Sequence, residues 1–376
     1  MMSDIQHYIE MHKDEIISDI KQLVQLESPT SDKNAVDQAG DWIQNAIKRY
    51  LGITPNVIKQ NETGNHITFE IGEGKEQILL SGHFDTVWDK GDLELIEEDN
   101  IIYGPGVIDM KTGVVQILWS LRALKENNKA LNKRVKVLFN GDHEGIASPT
   151  SRPYIEEAAR QSKYGLVAEA ATGEQGALKT FRKGIYRYKI QFHGKNSHAG
   201  NDHEKGESAI LEAAIFTQKL EGLTDYEEGT TVNVGLISGG TGINVRPDFA
   251  EIKVDVRVVE NEIGQQIDEK IKNLSSSNEK IKIEIEGGEV RPVMERTKQT
   301  VILFNKARSY ANELGFELEE VAVGGGSDGS FIAAQGTPTL DGLGGVGGGP
   351  HARNEHINVN YVSDRTALLA TLIEKL

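Results

Sequence analysis

His83-x-Asp85, then Asp109, Glu144, Glu169 and His351, are the residues of this chain best suited to do chemistry. Each stands at the end of a short apolar run or in a glycine-rich turn. Ile78-Leu79-Leu80-Ser81-Gly82 leads into His83, and Tyr164-Gly165-Leu166-Val167-Ala168 leads into Glu169. Open α/β sheets present their ligand chemistry at strand ends that face a crevice. Two imidazoles and three carboxylates, in a chain with no cysteine, match the preference of zinc for nitrogen and oxygen donors. If Asp109 bridges two ions, each has three protein ligands and room for a shared water, which is a hydrolase's arrangement. His83 and Asp85, two apart on an extended strand, share a face, so Asp85 can accept the second ring N–H of a metal-bound His83.

The elements that must position these residues are legible in the apolar spacing. Ile9, Ile16, Ile17, Ile20, Leu23 and Val24 predict a helix over 5–26, ended by Ser28-Pro29-Thr30-Ser31, and a second helix follows over about 35–50. Strands are expected around 65–71, 77–81 and 135–139, with a helix after Asp109 carried by Val114, Leu118 and Leu121. Such alternation predicts a mostly parallel, helix-covered α/β sheet. The character changes near Gly176–Lys183. Segments 186–192, 231–237, 250–257 and 280–286 alternate apolar with polar, the pattern of a sheet with one solvated face, and helices are expected at 207–222 and 262–273. A β-α-β-β-α-β order predicts a ferredoxin-like α+β insert. The expected division is a discontinuous catalytic domain, 1–178 and 289–376, interrupted by an inserted dimerisation or lid domain, 179–288. The glycine-rich 342–349 stretch reads as a tight loop that lets backbone approach the metals.

Longer motifs join the single residues. Leu80-Ser-Gly-His-Phe-Asp-Thr-Val87, Tyr103-Gly-Pro-Gly-Val-Ile-Asp-Met-Lys-Thr-Gly113, Phe192-His-Gly-Lys-Asn-Ser-His-Ala-Gly200 and Gly324-Gly-Gly-Ser-Asp328 occur in order, followed by His351. Over essentially its whole length the chain resembles the zinc aminoacyl-hydrolase family of glutamate carboxypeptidase, aminoacylase, acetylornithine deacetylase and succinyl-diaminopimelate desuccinylase. Gly104-Pro-Gly106 and the Phe139-Asn140 strand end are most similar to the glutamate carboxypeptidase branch.

The resemblance implies roles that single residues do not. Alone, Asp109 reads as a helix N-cap, Glu169 as an acid at a strand end with Glu174 close enough to compete, and His351 as a loop histidine. By resemblance, His83, Asp109 and Glu169 hold one ion and Asp109, Glu144 and His351 the other, and the Asp109-Met110 peptide is cis. His198, in Ser197-His198-Ala199-Gly200, is implied to stabilise the oxyanion, often across a dimer interface. Asn244, Arg257, Arg291 and Gly326 fall at substrate-binding positions, where a guanidinium suits a free carboxylate. A solvated strand arginine is an equally ordinary reading of Arg257 or Arg291.

Asp142-His143-Glu144 departs from the family, which has two consecutive glutamates here, a general base and then a ligand. Alignment puts His143 at the base and Glu144 at the ligand, with one extra residue near Gly145. Three outcomes stand open: a histidine base, recruitment of Asp142, or impaired catalysis. The imidazole could also bind metal.

Composition bounds the rest. Among 376 residues, 38% are hydrophobic and 26% charged, as in soluble globular proteins, and the length predicts two domains. Lys+Arg 41 against Asp+Glu 57 gives a net charge of −16, which argues against nucleic acid or an anionic membrane as partner. The polar N-terminal segment has no signal-like apolar core, so a cytoplasmic protein is expected. The expected function is a metal-dependent hydrolase with two divalent ions, zinc foremost and cobalt or manganese possible. It would cleave an amide beside a free carboxylate in a short peptide or N-acyl amino acid, as a homodimer joined through the insert. The alternative is a metal- or peptide-binding homologue that has lost turnover at His143.

Overall fold

The structure is a computed structural model and describes residues 3–376. The chain divides into two compact units. The first comprises residues up to Phe181, Arg296–Val323 and Ser327–Leu376; the second comprises Arg182–Glu295 with Gly324–Gly326.

The first unit is built on a six-stranded sheet ordered Asn56–Ile58, His66–Ile71, Arg134–Asn140, Gln77–His83, Tyr164–Val167, Thr339–Leu340. The last four strands run parallel, and His66–Ile71 is antiparallel to both of its neighbours. Gln77–His83 is buried along its entire length because both of its faces are covered. Its period-2 alternation divides the apolar residues: Ile78 and Leu80 join the larger core, and Leu79 joins a second core with Leu138, Val167 and Phe331. From this strand the chain crosses through helix Thr112–Glu126 to Arg134–Asn140 on one side. It then crosses through helix Arg152–Arg160 to Tyr164–Val167 on the other. The strand order therefore reverses around Gln77–His83, which opens a crevice at the carboxyl ends.

The N-terminal helical stretch is two helices, Asp4–Met11 and Lys13–Gln25, where the spacing predicts one. The break falls at His12, whose ring stacks on Tyr8 at 4.1 Å and whose Nδ1 bonds the Tyr8 carbonyl at 2.7 Å. A small antiparallel sheet of Ile96–Glu98, Ile101–Tyr103, Gly347–Gly348 and His356–Asn358 had no counterpart in the sequence reading. It ties the loop carrying His351 to the segment that leads into Asp109. The glycine-rich loop is pressed on the end of the central sheet: a Cβ on Gly344 would meet the Ala168 carbonyl at 2.2 Å. The fully buried Arg365 guanidinium fixes this loop by donating to the carbonyls of Gly176, Gly342 and Gly344.

The second unit is a four-stranded antiparallel sheet ordered Thr231–Gly239, Phe249–Val258, Gly184–His193, Lys282–Arg291. Helices Ala209–Glu221 and Asn261–Lys272 complete a β-α-β-β-α-β order. Gly184–His193 alternates buried with less buried residues, as its sequence pattern requires. The last strand runs beyond its expected end, through Gly287 and Gly288 at φ +127° and +149°. A Cβ on Gly287 would strike the Arg187 carbonyl at 2.1 Å.

Candidate active site

The crevice gathers side chains from three strand ends and two loops of the first unit. His83 is the last residue of the central strand, and Asn140 ends its parallel neighbour just before Asp142, His143 and Glu144. Glu169 lies two residues past Tyr164–Val167. Asp109 sits in the loop ahead of helix Thr112–Glu126, with a cis peptide to Met110. His351 occupies the loop between Gly347–Gly348 and His356–Asn358, at φ +62°.

His83 Nε2 lies 3.1 Å from Asp109 Oδ1 and 3.6 Å from Glu169 Oε1. His351 Nε2 lies 3.3 Å from Asp109 Oδ2 and 3.1 Å from Glu144 Oε1. The second ring nitrogen of His83 meets the backbone carbonyl of Asp85 at 3.1 Å, while the Asp85 carboxylate stands back at 3.5 Å. That carboxylate instead accepts from the Glu144 backbone N–H at 2.9 Å and the Thr30 hydroxyl at 2.7 Å, so it fixes the ligand loop while the Asp85 backbone carbonyl faces the His83 ring.

The electrostatics are those of a cation site. Burial pulls the His83 imidazole down, but the Asp109, Asp85 and Glu169 carboxylates prevail and hold it well above its usual value. Asp109 and Glu144 push His351 up to about 10. Burial, then Asp109, raises Glu144, whereas the two imidazoles hold Asp109 well below the carboxylate range despite its burial. Acids packed this densely call for positive charge between them. Donor atoms of His83, Asp109 and Glu144 converge within 4.8 Å of one another, and so do those of His83, His143 and Glu169. An all nitrogen-and-oxygen set of this size fits zinc or a similar divalent ion.

His143 therefore stands among the donors. Its ring lies parallel to His83 with centroids 4.0 Å apart and 5° between planes, and its Nε2 is 3.7 Å from Glu169 Oε1. Asp142 does not join the site. Its Oδ2 accepts from the Thr150 and Ser151 backbone N–H groups and the Thr150 hydroxyl, and its Oδ1 from the Ser151 hydroxyl at 2.6 Å. These bonds consume the lone pairs a base would need, so Asp142 anchors the turn ahead of helix Arg152–Arg160 and the base considered for it is corrected.

Two residues without an assigned role in the sequence reading prove central. Glu355 is buried and accepts from the Trp88 indole at 2.6 Å and the backbone N–H groups of Gly106, Ile108 and Asp109 at 3.1, 3.1 and 3.2 Å. It thereby shapes the loop that presents Asp109; burial pushes it up to about 7. Asp328 lies 3.1 Å from His143 Nδ1. Asp328 ended a quoted motif and so could have been flagged; Glu355 is a lone acid in a turn and carries no signal.

The remaining candidates lie in the second unit. His198 is exposed, and its Nδ1 accepts from the backbone N–H groups of Gly200 and Asn201, both at 3.1 Å. A neutral imidazole bonded this way carries its proton on Nε2 and is a donor there. Ser197–His198 pairs with Val245–Arg246, and the Asn244 carbonyl accepts from Ala199 N–H at 2.9 Å, so His198 and Asn244 are neighbours. Arg257 is clamped by Asp255 at 2.6 and 3.1 Å and donates to the Gly324 carbonyl at 3.1 Å. Arg291 is buried, and Gly326 packs on it so closely that a Cβ there would meet Arg291 Cδ at 2.6 Å.

Comparison with known proteins gives concordant matches. The profile of peptidase family M20/M25/M40 matches residues 79–375. Carboxypeptidase G2 of Pseudomonas sp. (strain RS-16) is 30% identical over 370 residues, spanning 95% of this chain and 88% of that one. Aminopeptidase PepT from Bacillus cereus ATCC 10987 superimposes with a TM-score of 0.78 at 23% identity, over 96% of this chain and 98% of that one. The YXEP protein of Bacillus subtilis, described as a dinuclear metal binding peptidase, superimposes with a TM-score of 0.69 at 16% identity, over 97% and 98%.

Proposed function

The chain belongs to peptidase family M20/M25/M40 and is a metal-dependent hydrolase, and on that premise we propose that it cleaves an amide beside a free carboxylate, in a short peptide or N-acyl amino acid, with two divalent ions. The observation that carries this reading is the convergence of His83, Asp109, Glu144, Glu169 and His351 at the carboxyl ends of a switch-point sheet. His83, Asp109 and Glu169 would hold one ion and Asp109, Glu144 and His351 the other. Zinc suits these donors first, with cobalt or manganese as substitutes. Bound divalent ions supply Lewis-acid polarisation of a carbonyl and acidify water.

The chain's own groups supply the rest. His143 Nε2 takes a proton from the attacking water and returns it to the leaving nitrogen as the C–N bond breaks, and the second water proton follows, leaving a carboxylate and an ammonium group. His198, a donor at Nε2, supports the oxyanion. Arg291, with Asn244 and Gly326, binds the substrate carboxylate; Arg257 enters that role by exchanging Asp255 for the substrate. A homodimer through the second unit finds support in its two sheet edges. The Lys282–Arg291 edge carries Lys282, Glu284, Glu286 and Glu289, as protected edges do. The Thr231–Gly239 edge exposes Leu236 and Ile237. The cysteine-free, acidic composition supports a cytoplasmic setting.

One observation favours a second role for His143. Its donor atom falls within the group formed with His83 and Glu169, as a ligand's would. The metal content of His143→Ala separates the two: unchanged for a base, reduced for a ligand. The function itself is tested by release of amino acid from a panel of N-acyl amino acids and dipeptides with zinc or cobalt. Release should require the terminal carboxylate and disappear when it is amidated. Silence across the panel with metal bound would overturn the reading in favour of a binding protein without turnover.

A further inference from the structure

An imidazole in a general base's position poses a problem that a carboxylate does not. A carboxylate has two equivalent oxygens, whereas an imidazole must show the correct one of two nitrogens, unprotonated, to the reacting atoms. The surroundings of His143 solve this. Its Nδ1 lies 3.1 Å from Oδ2 of Asp328, the residue that closes the Gly324–Asp328 motif and is itself 3% exposed. Asp328 is held by donors from the segment that carries His143: the Ser148 hydroxyl donates to Oδ1 at 2.6 Å and the Asn140 amide to Oδ2 at 2.9 Å. A carboxylate offers acceptors only, so the proton between Asp328 and His143 belongs to Nδ1. On its other side the ring stacks on His83 and turns Nε2 towards Glu169.

We infer that Asp328 is a positioning residue for His143: its carboxylate selects the Nδ1–H tautomer and directs the Nε2 lone pair into the donor cluster. The inference rests on the reading of His143 as proton acceptor. Stacking on His83 sets the ring plane, but a half-turn of the ring leaves that plane unchanged and puts Cδ2 and Cε1 where Nδ1 and Nε2 stood. Asp328 distinguishes the two orientations, because Nδ1–H donates to its carboxylate and a ring C–H in the same place does not. Where an imidazole serves as base in other hydrolases, replacing its orienting Asp by Asn costs on the order of 10⁴ in kcat through the wrong tautomer.

The test is Asp328→Asn, in the wild-type and His143→Glu backgrounds, with two readouts. In the zinc-loaded protein, kcat should fall at least about 10²-fold, with metal content kept and KM moved by less than about threefold. In His143→Glu, whose carboxylate has no tautomer to select, the same substitution should change kcat by less than about threefold. Independently of turnover, long-range ¹⁵N–¹H spectra of ring-labelled protein, with His143 assigned by its loss in His143→Gln, should place the proton on Nδ1 in the wild type. Asp328→Asn should shift it towards Nε2. A wild-type proton on Nε2, an unchanged tautomer in Asp328→Asn, or an equal kcat loss in both backgrounds would overturn the inference. A protein that hydrolyses nothing yet shows the Asp328-dependent Nδ1–H tautomer would uphold the positioning and remove the base reading instead.

Discussion

Asp109 turns one carboxylate oxygen to each of two imidazoles, Oδ1 at 3.1 Å from His83 Nε2 and Oδ2 at 3.3 Å from His351 Nε2. The two histidines come from a strand end and a distant loop, and among the described residues Asp109 is the carboxylate with an oxygen within 3.3 Å of each. Glu355 supports this by gathering three N–H groups of one loop, those of Gly106, Ile108 and Asp109, onto a single buried carboxylate.

Asp109→Ala should therefore disturb both ion sites, whereas Glu144→Ala should weaken one. Elemental analysis of protein reloaded with zinc and freed of excess is expected to find both ions depleted in the first variant and one retained in the second. Equal metal in Asp109→Ala and wild type would rule out the bridge.

Metal uptake should expel protons. His83 and His351 are held above their usual values by the neighbouring carboxylates, His351 at about 10, so in metal-free protein at neutral pH both imidazoles are protonated. A ligating imidazole is neutral, so loading must release those protons, and zinc affinity should strengthen as pH rises and weaken as it falls. Calorimetry of zinc binding in buffers of different ionisation enthalpy measures the release. A binding enthalpy independent of buffer would contradict the charge state assigned to the site.

His198→Ala should lower kcat by a factor on the order of 10², the scale for losing an oxyanion donor, while metal content stays intact. His198→Gln, which restores a donor, should recover part of the loss. Normal turnover in His198→Ala would remove the residue from the reaction.

The apolar sheet edge predicts the assembly. Leu236 is 63% and Ile237 57% exposed on an edge strand, and Leu211, on the helix packed against that strand, is 58% exposed. Leu236→Lys with Ile237→Lys should convert a dimer to a monomer in sedimentation velocity without loss of helix or sheet signal. A monomeric wild type would dismiss the interface.

Much of this was legible in residues alone, and the limits have physical causes. Gln77–His83 announces itself because a strand buried on both faces reads as an unbroken apolar run, and Gly184–His193 because a half-solvated strand must alternate. The α/β class follows from that contrast. The small sheet joining Ile101–Tyr103 to His356–Asn358 escaped detection, since strands of two or three residues are too short to show a period. Asp142 misled because a carboxylate beside a ligand looks like a base until its hydrogen bonds to Thr150 and Ser151 are seen. Glu355 and the Asp328–His143 contact are long-range pairings that local sequence does not encode.

The proposal that two ions held by one donor cluster serve hydrolysis has a quantitative consequence. Its most direct test is a zinc titration of chelated protein, with bound metal and amino-acid release from an N-acyl amino acid substrate measured on the same samples. Hydrolysis should rise with loading and level off at two ions per chain. Full activity at one ion, or two tightly bound ions without hydrolysis of any carboxylate-bearing substrate, would contradict it.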